Sequence, residues 1–388
     1  MITGLGVGGA ELQLELLLRH TRHHANVVTL YNRGPVADTI EDRGVYVRDL
    51  AMTSNKEISA LLRLYRIICE GRYDVVHTHL YRSQVYGHLA ARLAGTPVIV
   101  TTEHSIGETK IERRRMSSPV QALYLGADRL SHATIAVSDV VRDRLVRWGV
   151  PAHKITVVPN AVEFSRVAFD PRGRARVRAQ LGIASDATVI GVLGRLDPNK
   201  RVDLVIRAAA PLLRDDRQLL IVGDGEERDR LTATASEAGV SDHVLFAGER
   251  RDVGPVLSSF DVFVAASAQE TFGLSVLEAL GNGLPVLYTT CPALDGIVTD
   301  RARQVVGEVI ALRHELAAEV DPPARARIPA AALLERYGIE SISARIDGLY
   351  EKLLNRKPAQ GRTAAPSERR DGDLSPSRTQ TDPPGSTW

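Results

Sequence analysis

The 388-residue sequence predicts an α/β protein made of two domains, each a parallel sheet covered by helices. Short, continuously apolar runs alternate with amphipathic stretches through most of the chain, as strands buried between two helix layers require. One series of runs ends at Val137 and a second begins at Val189. Only the segment from Pro159 to Asp186 interrupts the alternation. The length also fits two domains, at roughly 100–200 residues each.

The apolar runs place the strands. In the first half, β-branched runs predict strands at residues 27–30, 74–77, 98–101 and 134–137. In the second half they predict strands at residues 189–193, 219–222, 244–246, 262–264 and 285–287. Amphipathic stretches between these runs predict helices, and alternation of this kind implies βαβ units with right-handed crossovers.

The two ends of the chain differ from the rest. Residues 331–354 carry an apolar stripe at helical spacing, whereas residues 358–388 are rich in Pro, Ser, Thr, Arg and Asp and predict a disordered tail. At the other end, Met1 stands almost directly before a glycine loop. We therefore expect a truncated first strand, or a native start upstream of Met1. The resulting division is 1–163, 164–340, a crossover helix at 341–357 and the tail at 358–388.

Composition excludes several classes of protein. The 49 Lys and Arg residues nearly balance 47 Asp and Glu, so a net charge of +2 gives no reason to expect nucleic acid as a partner. Two cysteines, Cys69 and Cys291, cannot form a disulfide framework or a cysteine-ligated zinc site. No apolar run approaches the roughly 18 residues of a membrane span, and no signal segment opens the chain. We expect a cytoplasmic protein, with peripheral contact of Arg113-Arg114-Arg115 at the inner face of the membrane as an alternative.

A glycine loop opens the first half. Gly4, Gly6, Gly8 and Gly9 precede a helix, and glycines with free helix N–H groups suit a phosphate. A tight turn without a ligand is the alternative. The second strand ends at Arg33 without the carboxylate that a dinucleotide site needs, and no Gly-Lys-Ser/Thr follows the glycines. The loop therefore favours phosphate but neither NAD nor P-loop hydrolysis.

Two cations follow the first strand of the second half. Arg195 and Lys200 stand just beyond the strand that ends at Leu193. Ligands of open α/β sheets bind outside the carboxyl ends of the strands. An arginine can hold phosphate oxygens with two parallel hydrogen bonds, and a lysine adds a point charge. Alone, such a pair is more often part of a solvated loop.

A longer motif follows the strand at residues 262–264. Glu270 lies just before a predicted helix and Glu278 lies two turns inside it, in the pattern Glu-x-Phe-Gly-x-x-x-x-Glu. A carboxylate can accept hydrogen bonds from two hydroxyl groups, which suits the diols of sugar and ribose. Free N–H groups at the helix start can receive sugar or phosphate oxygens; they belong to Phe272, Gly273 and Leu274.

Together these motifs resemble the family 4 glycosyltransferases, retaining enzymes of GT-B fold that use nucleotide sugars. The resemblance runs from the glycine loop to about Leu354 and is strongest from Glu270 to Val286. It implies two Rossmann-like domains facing a central cleft, with the acceptor in the first, the donor nucleotide in the second and the last helix crossing back to the first.

The resemblance also implies roles for individual residues. Arg195 and Lys200 would hold the donor diphosphate, Glu278 the ribose, and Glu270 the sugar beside the amides of the same motif. In the first domain, the Gly8-Gly9 loop would meet the diphosphate, and His104 would lie close to the transferred sugar. One departure concerns the segment after the strand at 285–287, where residues 291–296 replace the usual Gly-Gly turn followed by Pro-Glu. This departure leaves the donor's identity open.

These assignments predict a hexosyltransferase that transfers sugar from a UDP-sugar to a hydroxyl of a glycan, a lipid-linked precursor or a natural product. We expect retention by a front-face mechanism, because no carboxylate nucleophile is evident, and we expect no cofactor and no metal. His77 and His79 form a His-x-His pair without further apparent metal ligands. Two alternatives remain: a sugar-nucleotide epimerase of the same fold, and a non-catalytic subunit that binds sugar nucleotides.

Overall fold

The computed structural model describes residues 1–54, 57–112, 114–321 and 326–356. Its first sheet has seven parallel strands in the order β3-β2-β1-β4-β5-β8-β9, and a short hairpin, β6–β7, stands apart from it. The strands are β1 (Ile2–Gly4), β2 (Val27–Asn32), β3 (Val47–Asp49), β4 (Val75–His79), β5 (Val98–Glu103), β6 (Lys110–Ile111), β7 (Arg114–Arg115), β8 (Ala133–Ala136) and β9 (Ile155–Val157). The predicted tail at 358–388 lies outside the described residues.

The second sheet has six parallel strands in the order β12-β11-β10-β13-β14-β15. The strands are β10 (Thr188–Leu193), β11 (Arg217–Val222), β12 (Val244–Phe246), β13 (Val262–Ala265), β14 (Val286–Tyr288) and β15 (Ala302–Gln304). In both sheets the first strand lies centrally and the chain winds outward to one side and then to the other. Such doubly wound sheets place a ligand crevice at the carboxyl edge, where the strand order reverses.

Helices cover both faces of each sheet. Those associated with the first sheet are α1 (Gly9–His20), α2 (Val36–Glu41), α3 (Ile58–Gly71), α4 (Tyr81–Leu93), α5 (Ser118–Asp128) and α6 (Asp139–Trp148). The remainder are α7 (Phe164–Val167), α8 (Pro171–Gln180), α9 (Val202–Ala209), α10 (Arg228–Glu237), α11 (Val253–Ser259), α12 (Leu274–Gly281), α13 (Val309–Val320), α14 (Ala331–Tyr337) and α15 (Ile339–Asn355). The sheet interiors are accordingly apolar, and β11 is fully buried from Leu219 to Val222.

The first strand is short, as expected from its sequence, yet it is fully part of the sheet. Ile2 is completely buried and pairs in parallel with both β2 and β4. Three residues of β1 are therefore enough to place the glycine loop at the carboxyl edge. Among the described residues, no helix has the length and apolar character that a membrane crossing requires.

The end of the described chain returns to the first domain. Helix α14 packs on α12 in the second domain, and its Tyr337 is buried against Phe272. The direction changes at Gly338, where the carbonyl of Tyr337 accepts a hydrogen bond from the amide of Val162. Helix α15 then packs on α1 and β5 through an apolar stripe that includes Ile342 and Ile346. The crossover helix thus starts at 339, two residues before the predicted boundary.

Candidate functional site

The cations of the second domain lie at the carboxyl edge of its sheet. Strand β10 ends at Leu193, and the chain turns at Gly194, whose φ of +150° favours glycine. A side chain on Gly223, which follows the adjacent strand, would collide with the carbonyl of Gly194. The two loops therefore pack closely because both have glycine here. This packing holds the loop that carries Arg195 and Lys200 at the edge of the sheet.

Lys200 and Glu270 form an ion pair across this edge. The Nζ atom of Lys200 lies 2.6 Å from Oε1 of Glu270, and both side chains are largely buried. Asn199 joins the same two loops, because its side-chain amide donates to the carbonyl of Gln269 at 2.8 Å and its Oδ1 accepts from the Gln269 amide at 3.0 Å. The structure thus brings together a predicted diphosphate ligand and a predicted sugar ligand that are 70 positions apart.

Arg195 is held more loosely. Half of its side chain is exposed, and its Nε lies 3.6 Å from a carboxylate oxygen of Asp197. One oxygen of that carboxylate already has a hydrogen bond, because Oδ1 of Asp197 accepts one from the backbone amide of Asn199 at the start of a 3-10 turn. A surface pair at this separation contributes little to stability. The guanidinium of Arg195 is therefore available for an anion at the rim of the site.

Helix α12 begins at the site without a side-chain cap. Gly273 precedes it with φ near +103°, and a Cβ at Gly273 would come within 2.5 Å of the Cys291 sulfur. Cys291 belongs to the segment 291–296 that departs from the family pattern, so this segment directly supports the start of α12. The ring of Phe272 is buried in the core. Its side chain therefore packs in the core and does not face a ligand. The groups of the turn that can bind a ligand are its backbone amides.

Glu278 lies one turn inside α12, and not two turns as predicted, because the helix begins at Leu274. Its carboxyl group has an unusual environment. Burial raises its pKa to about 7, because removal from water disfavours the charged form. Among the described residues, no side chain or amide donates a hydrogen bond to this carboxylate. An acidic group that is desolvated and unpaired in the free protein is a candidate for binding hydroxyl groups of a ligand.

The glycine loop of the first domain approaches α12 directly. Gly8 precedes α1 with an extended backbone, and no side chain caps that helix. A Cβ added to Gly9 would lie 3.5 Å from a methyl group of Leu274, the first residue of α12. Two helix N-termini from different domains therefore meet across the cleft. Their free N–H groups and dipoles make the space beside them favourable for an anion.

Polar contacts also join the domains near this point. The Ser138 hydroxyl donates to the carbonyl of Thr271 at 2.7 Å while it accepts from the amide of Val141 to cap α6. Glu108 and Gln269 exchange two longer hydrogen bonds, of 3.4 and 3.3 Å. The first-domain loop after β5 therefore touches the same turn that carries Glu270. No motif in the sequence identifies these residues, because hydrogen bonds between distant segments leave no local pattern.

His104 lies on the first-domain side, one residue beyond β5. It lines a cavity of about 30 Å³ together with Gln13 of α1 and Asn160. Burial lowers its pKa to about 4, so the ring is neutral near pH 7. Its Nε2 lies 3.1 Å from Nδ1 of His79. Among the described residues, no hydrogen bond joins His104 to the cations or carboxylates of the second domain.

His77 and His79 occupy the end of β4 and are paired within the protein. The ring nitrogens of His77 lie 2.6 Å from the Tyr350 hydroxyl and 2.7 Å from the Thr102 hydroxyl. Burial lowers the pKa of both histidines well below the usual value. Within the described ranges, no group of three His, Cys, Asp or Glu residues is arranged to hold a metal ion.

Two family profiles match the chain: Glycosyltransferase Family 4 over residues 7–166, and Glycosyl transferases group 1 over residues 173–321. A D-inositol 3-phosphate glycosyltransferase of Thermobispora bispora is 30% identical over 331 residues, which are 77% of this chain and 75% of that protein. An Escherichia coli UDP-Gal:alpha-D-GlcNAc-diphosphoundecaprenol alpha-1,3-galactosyltransferase is 28% identical over 73% of this chain and 76% of its own length. The D-inositol 3-phosphate glycosyltransferase of Actinosynnema mirum is 34% identical, but only 59% of its length is matched.

Solved structures share the fold. The Anabaena protein Alr3699/HepE, crystallised with UDP and glucose, superposes with a TM-score of 0.78 at 22% identity, over 90% of this chain and 99% of that one. A sucrose-phosphate synthase from Thermosynechococcus elongatus gives a TM-score of 0.74 at 21% identity, over 92% and 96% of the two chains. With two Rossmann-like domains in the GT-B arrangement and both profiles matched, the chain belongs to glycosyltransferase family 4.

Proposed function

We propose that this protein transfers a hexosyl group from a UDP-sugar to a hydroxyl group of a glycan or lipid-linked acceptor, with retention of configuration and without a metal ion. One observation carries the proposal. The uncapped N-termini of α1 and α12 meet at Gly9 and Leu274, and the second of them is four residues from the Lys200–Glu270 ion pair. Such a crevice suits a diphosphate that is attached to a sugar.

The diphosphate would lie between the two helix N-termini. Lys200 carries three N–H donors, so it can keep its bond to Glu270 and still donate to a phosphate oxygen. Arg195, half exposed at the rim, can turn toward the same group. As the bond to the sugar breaks, negative charge grows on the diphosphate, and donors already in place stabilise that charge without reorganising.

The two glutamates would hold the ends of the donor. The described part of the chain supplies no partner to Glu278, and the ribose hydroxyls would supply two hydrogen bonds to its ionised form. Glu270 stays next to the ammonium group of Lys200, and its carboxylate oxygens can also accept hydrogen bonds from sugar hydroxyls. Binding would therefore use the groups that the free protein leaves least satisfied.

Transfer would proceed on one face of the sugar. The bond between the anomeric carbon and the diphosphate oxygen breaks, and the acceptor oxygen bonds to the same carbon from the same side. The acceptor hydroxyl passes its proton to the departing phosphate oxygen, so no separate base is needed. His104, which is neutral and beside the cleft, would contact the transferred sugar without taking that proton.

The relatives support the choice of donor and acceptor class. The name of the Escherichia coli relative specifies UDP-galactose, a diphosphoundecaprenol-linked acceptor and an α-1,3 linkage. Retention at an α-configured nucleotide sugar gives an α linkage. A lipid-linked acceptor would also agree with a cytoplasmic enzyme that works at the inner face of a membrane.

A thermal-shift and calorimetry screen with UDP, GDP, ADP and their sugars tests the donor, and EDTA in parallel samples tests the need for metal. We expect UDP and a UDP-hexose to stabilise the protein equally with and without EDTA. Preference for another base, or loss of binding in EDTA, would contradict the proposal. An epimerase would convert the UDP-sugar without acceptor, and a binding subunit would leave it unchanged.

Proton NMR of the first product formed tests the stereochemistry. The coupling constant of the new anomeric proton reports whether the configuration of the donor is kept. We expect an α product from an α-linked UDP-hexose. A β product would overturn the retaining, front-face mechanism but would leave the donor assignment intact.

A further inference from the structure

Three histidines form a contiguous array beneath the cleft of the first domain. His77 and His79 project from the last part of β4, and His104 follows β5. The ring centroids of His77 and His79 are 4.2 Å apart, and those of His79 and His104 are 5.4 Å apart with an angle of 23° between the ring planes. His79 is only 4% exposed and lies between the other two. Its ring therefore has little freedom to rotate.

The array is fixed at its far end by other elements. His77 contacts the hydroxyl of Tyr350, which lies on the crossover helix α15, and the hydroxyl of Thr102 on β5. With both ring nitrogens engaged, His77 cannot turn, and it holds the adjacent ring of His79. The position of His79 thus depends on packing between α15 and the first sheet. His104, whose ring contacts His79, is therefore also held in a fixed position.

The contact between His79 and His104 contains a single proton. Burial keeps both rings neutral, and a neutral imidazole has one N–H donor and one acceptor nitrogen. Nδ1 of His79 and Nε2 of His104 are 3.1 Å apart, so one of these nitrogens donates and the other accepts. Which one donates decides whether the remaining nitrogen of His104, Nδ1, is a donor or an acceptor.

That remaining nitrogen lies beside Asn160 and a small cavity. Nδ1 of His104 is buried and has no hydrogen-bond partner of regular geometry among the described residues. The side chain of Asn160 lies beside the ring, and its amide oxygen can accept a hydrogen bond from an N–H group. The cavity that both residues line has space for about one water molecule, which could carry this hydrogen bond toward a bound ligand.

We propose that His79 is a positioning residue: it donates from Nδ1 to Nε2 of His104 and so fixes His104 as the tautomer that carries its proton on Nδ1. His104 then presents a neutral hydrogen-bond donor in a set orientation and cannot accept the acceptor's proton at Nε2. The use of this donor in sugar transfer rests on the proposed function. The tautomer itself is a property of the free protein.

Nitrogen-15 NMR of the histidine rings tests the tautomer without any donor sugar. We expect His104 of the full chain to be protonated on Nδ1, and to stay so in His79→Asn, whose side-chain amide can still donate. In His79→Leu this preference should be lost. A wild-type His104 protonated on Nε2, or an unchanged tautomer in His79→Leu, would overturn the proposal.

Steady-state kinetics tests whether the N–H donor of His104 is used in sugar transfer. Because misplacing a group near the reacting atoms by about 1 Å can cost on the order of 100-fold, we expect kcat of His79→Leu to fall about 10- to 100-fold. The KM for donor should change by less than about threefold, and His79→Asn should recover most of the loss. Equal losses in the two variants would show a merely structural role and overturn the proposal.

A matched control is His88, which is also buried in the first domain. Its ring contacts the Thr78 hydroxyl and the Ala127 carbonyl, and no hydrogen bond joins it to His104 among the described residues. His88→Asn should leave the tautomer of His104 and kcat unchanged. If the wild-type protein transfers no sugar, the proposed function fails, and the NMR result still decides the role of His79.

Discussion

Glu103 in the first domain and Glu278 in the second both lie near the carboxyl edge of their sheets, and their carboxyl groups differ in their partners. Burial raises the pKa of both Glu103 and Glu278 to about 7. Glu103, at the end of β5, accepts hydrogen bonds from the amide and the hydroxyl of Ser105 at 2.8 and 3.3 Å. Glu278 has no such partner among the described residues. In the first domain, other groups of the protein donate hydrogen bonds to the carboxyl group. In the second domain, the described residues donate none.

The same contrast extends to the charged and polar side chains around these groups. In the first domain, His77 and His79 contact other side chains of the protein. In the second domain, Arg195 is half exposed and only loosely paired. The second domain thus keeps groups ready for a charged ligand, and the first keeps a fixed shape. Substitutions in the second should change binding more than stability, and those in the first should do the reverse.

Lys200→Ala should have the largest effect on activity. It removes a donor to the diphosphate and leaves Glu270 without its cation, at a site where one preorganised donor is worth on the order of 100- to 1,000-fold in kcat. We expect turnover to fall by that order and donor affinity to weaken at least about tenfold. Steady-state assays and calorimetry with the UDP-sugar measure the two effects.

Arg214→Ala is the control for this loss of positive charge. Arg214 is 55% exposed and pairs with Asp216 just before β11, at the opposite edge of the same sheet. Its removal should leave turnover and donor affinity unchanged. Comparable losses in the two variants would mean that general electrostatics, and not the position of Lys200, governs binding.

Glu278→Gln should change how stability depends on pH. Between the unfolded pKa of 4.5 and the folded value of about 7, the folded protein keeps a proton that the unfolded chain releases. This contribution, up to about 3 kcal/mol, is present below the unfolded pKa and is lost as pH rises through the folded one. The variant should therefore lose less stability between pH 5 and pH 8, as measured by urea unfolding.

Glu103→Gln provides the comparison from the first domain, since its carboxyl group has the same pKa and a similar pH effect is expected. UDP should separate the two groups. If ribose hydroxyls bind the ionised Glu278, the ligand lowers the pKa of Glu278 and flattens the wild-type pH dependence only partly, because Glu103 still contributes. A UDP effect that persists unchanged in Glu278→Gln would refute the assignment of Glu278.

Much of the architecture could be read from apolar runs, and the exceptions have a common cause. All nine strands predicted from such runs are present, from β2 at Val27–Asn32 to β14 at Val286–Tyr288. The strands β3, β6, β7, β9 and β15 escaped prediction; each has two or three residues, and β15 (Ala302–Gln304) is largely exposed. The strands β3, β9 and β15 lack the continuous apolar run of β12, which is also an edge strand of three residues.

The sequence predicted the site residues of the second domain better than those of the first. In the second domain, Glu270 and Glu278 lie within one short motif, so local sequence was informative. In the first domain, the contact between His79 and His104 joins two strands, and only the fold brings them within 3.1 Å. The His-x-His pair was visible in the sequence, but nothing local identified its partners as Tyr350 and Thr102.

Asn199→Ala should have an intermediate effect. Asn199 is exposed, yet its side chain makes two hydrogen bonds to the backbone of Gln269 and so links the loop of Lys200 to that of Glu270. Two neutral hydrogen bonds are worth about 1 kcal/mol each, and their loss should lower kcat/KM roughly 10-fold. The melting temperature should change little. Asn199→Asp, which keeps the acceptor but loses the donor, should lie between the variant and wild type.

Gln269→Ala should have the smallest effect and is the strictest test of the contrast between the domains. In the described part of the chain, its side chain makes hydrogen bonds to Glu108 of the first domain, of 3.3 and 3.4 Å and in an exposed position. Bonds this long and solvated contribute little, so kcat should change by less than about twofold. Its backbone, which Asn199 binds, is unaffected by the substitution. If Gln269→Ala nevertheless lowered kcat as much as Asn199→Ala does, closure between the domains, and not the fixed geometry of the second domain, would limit turnover.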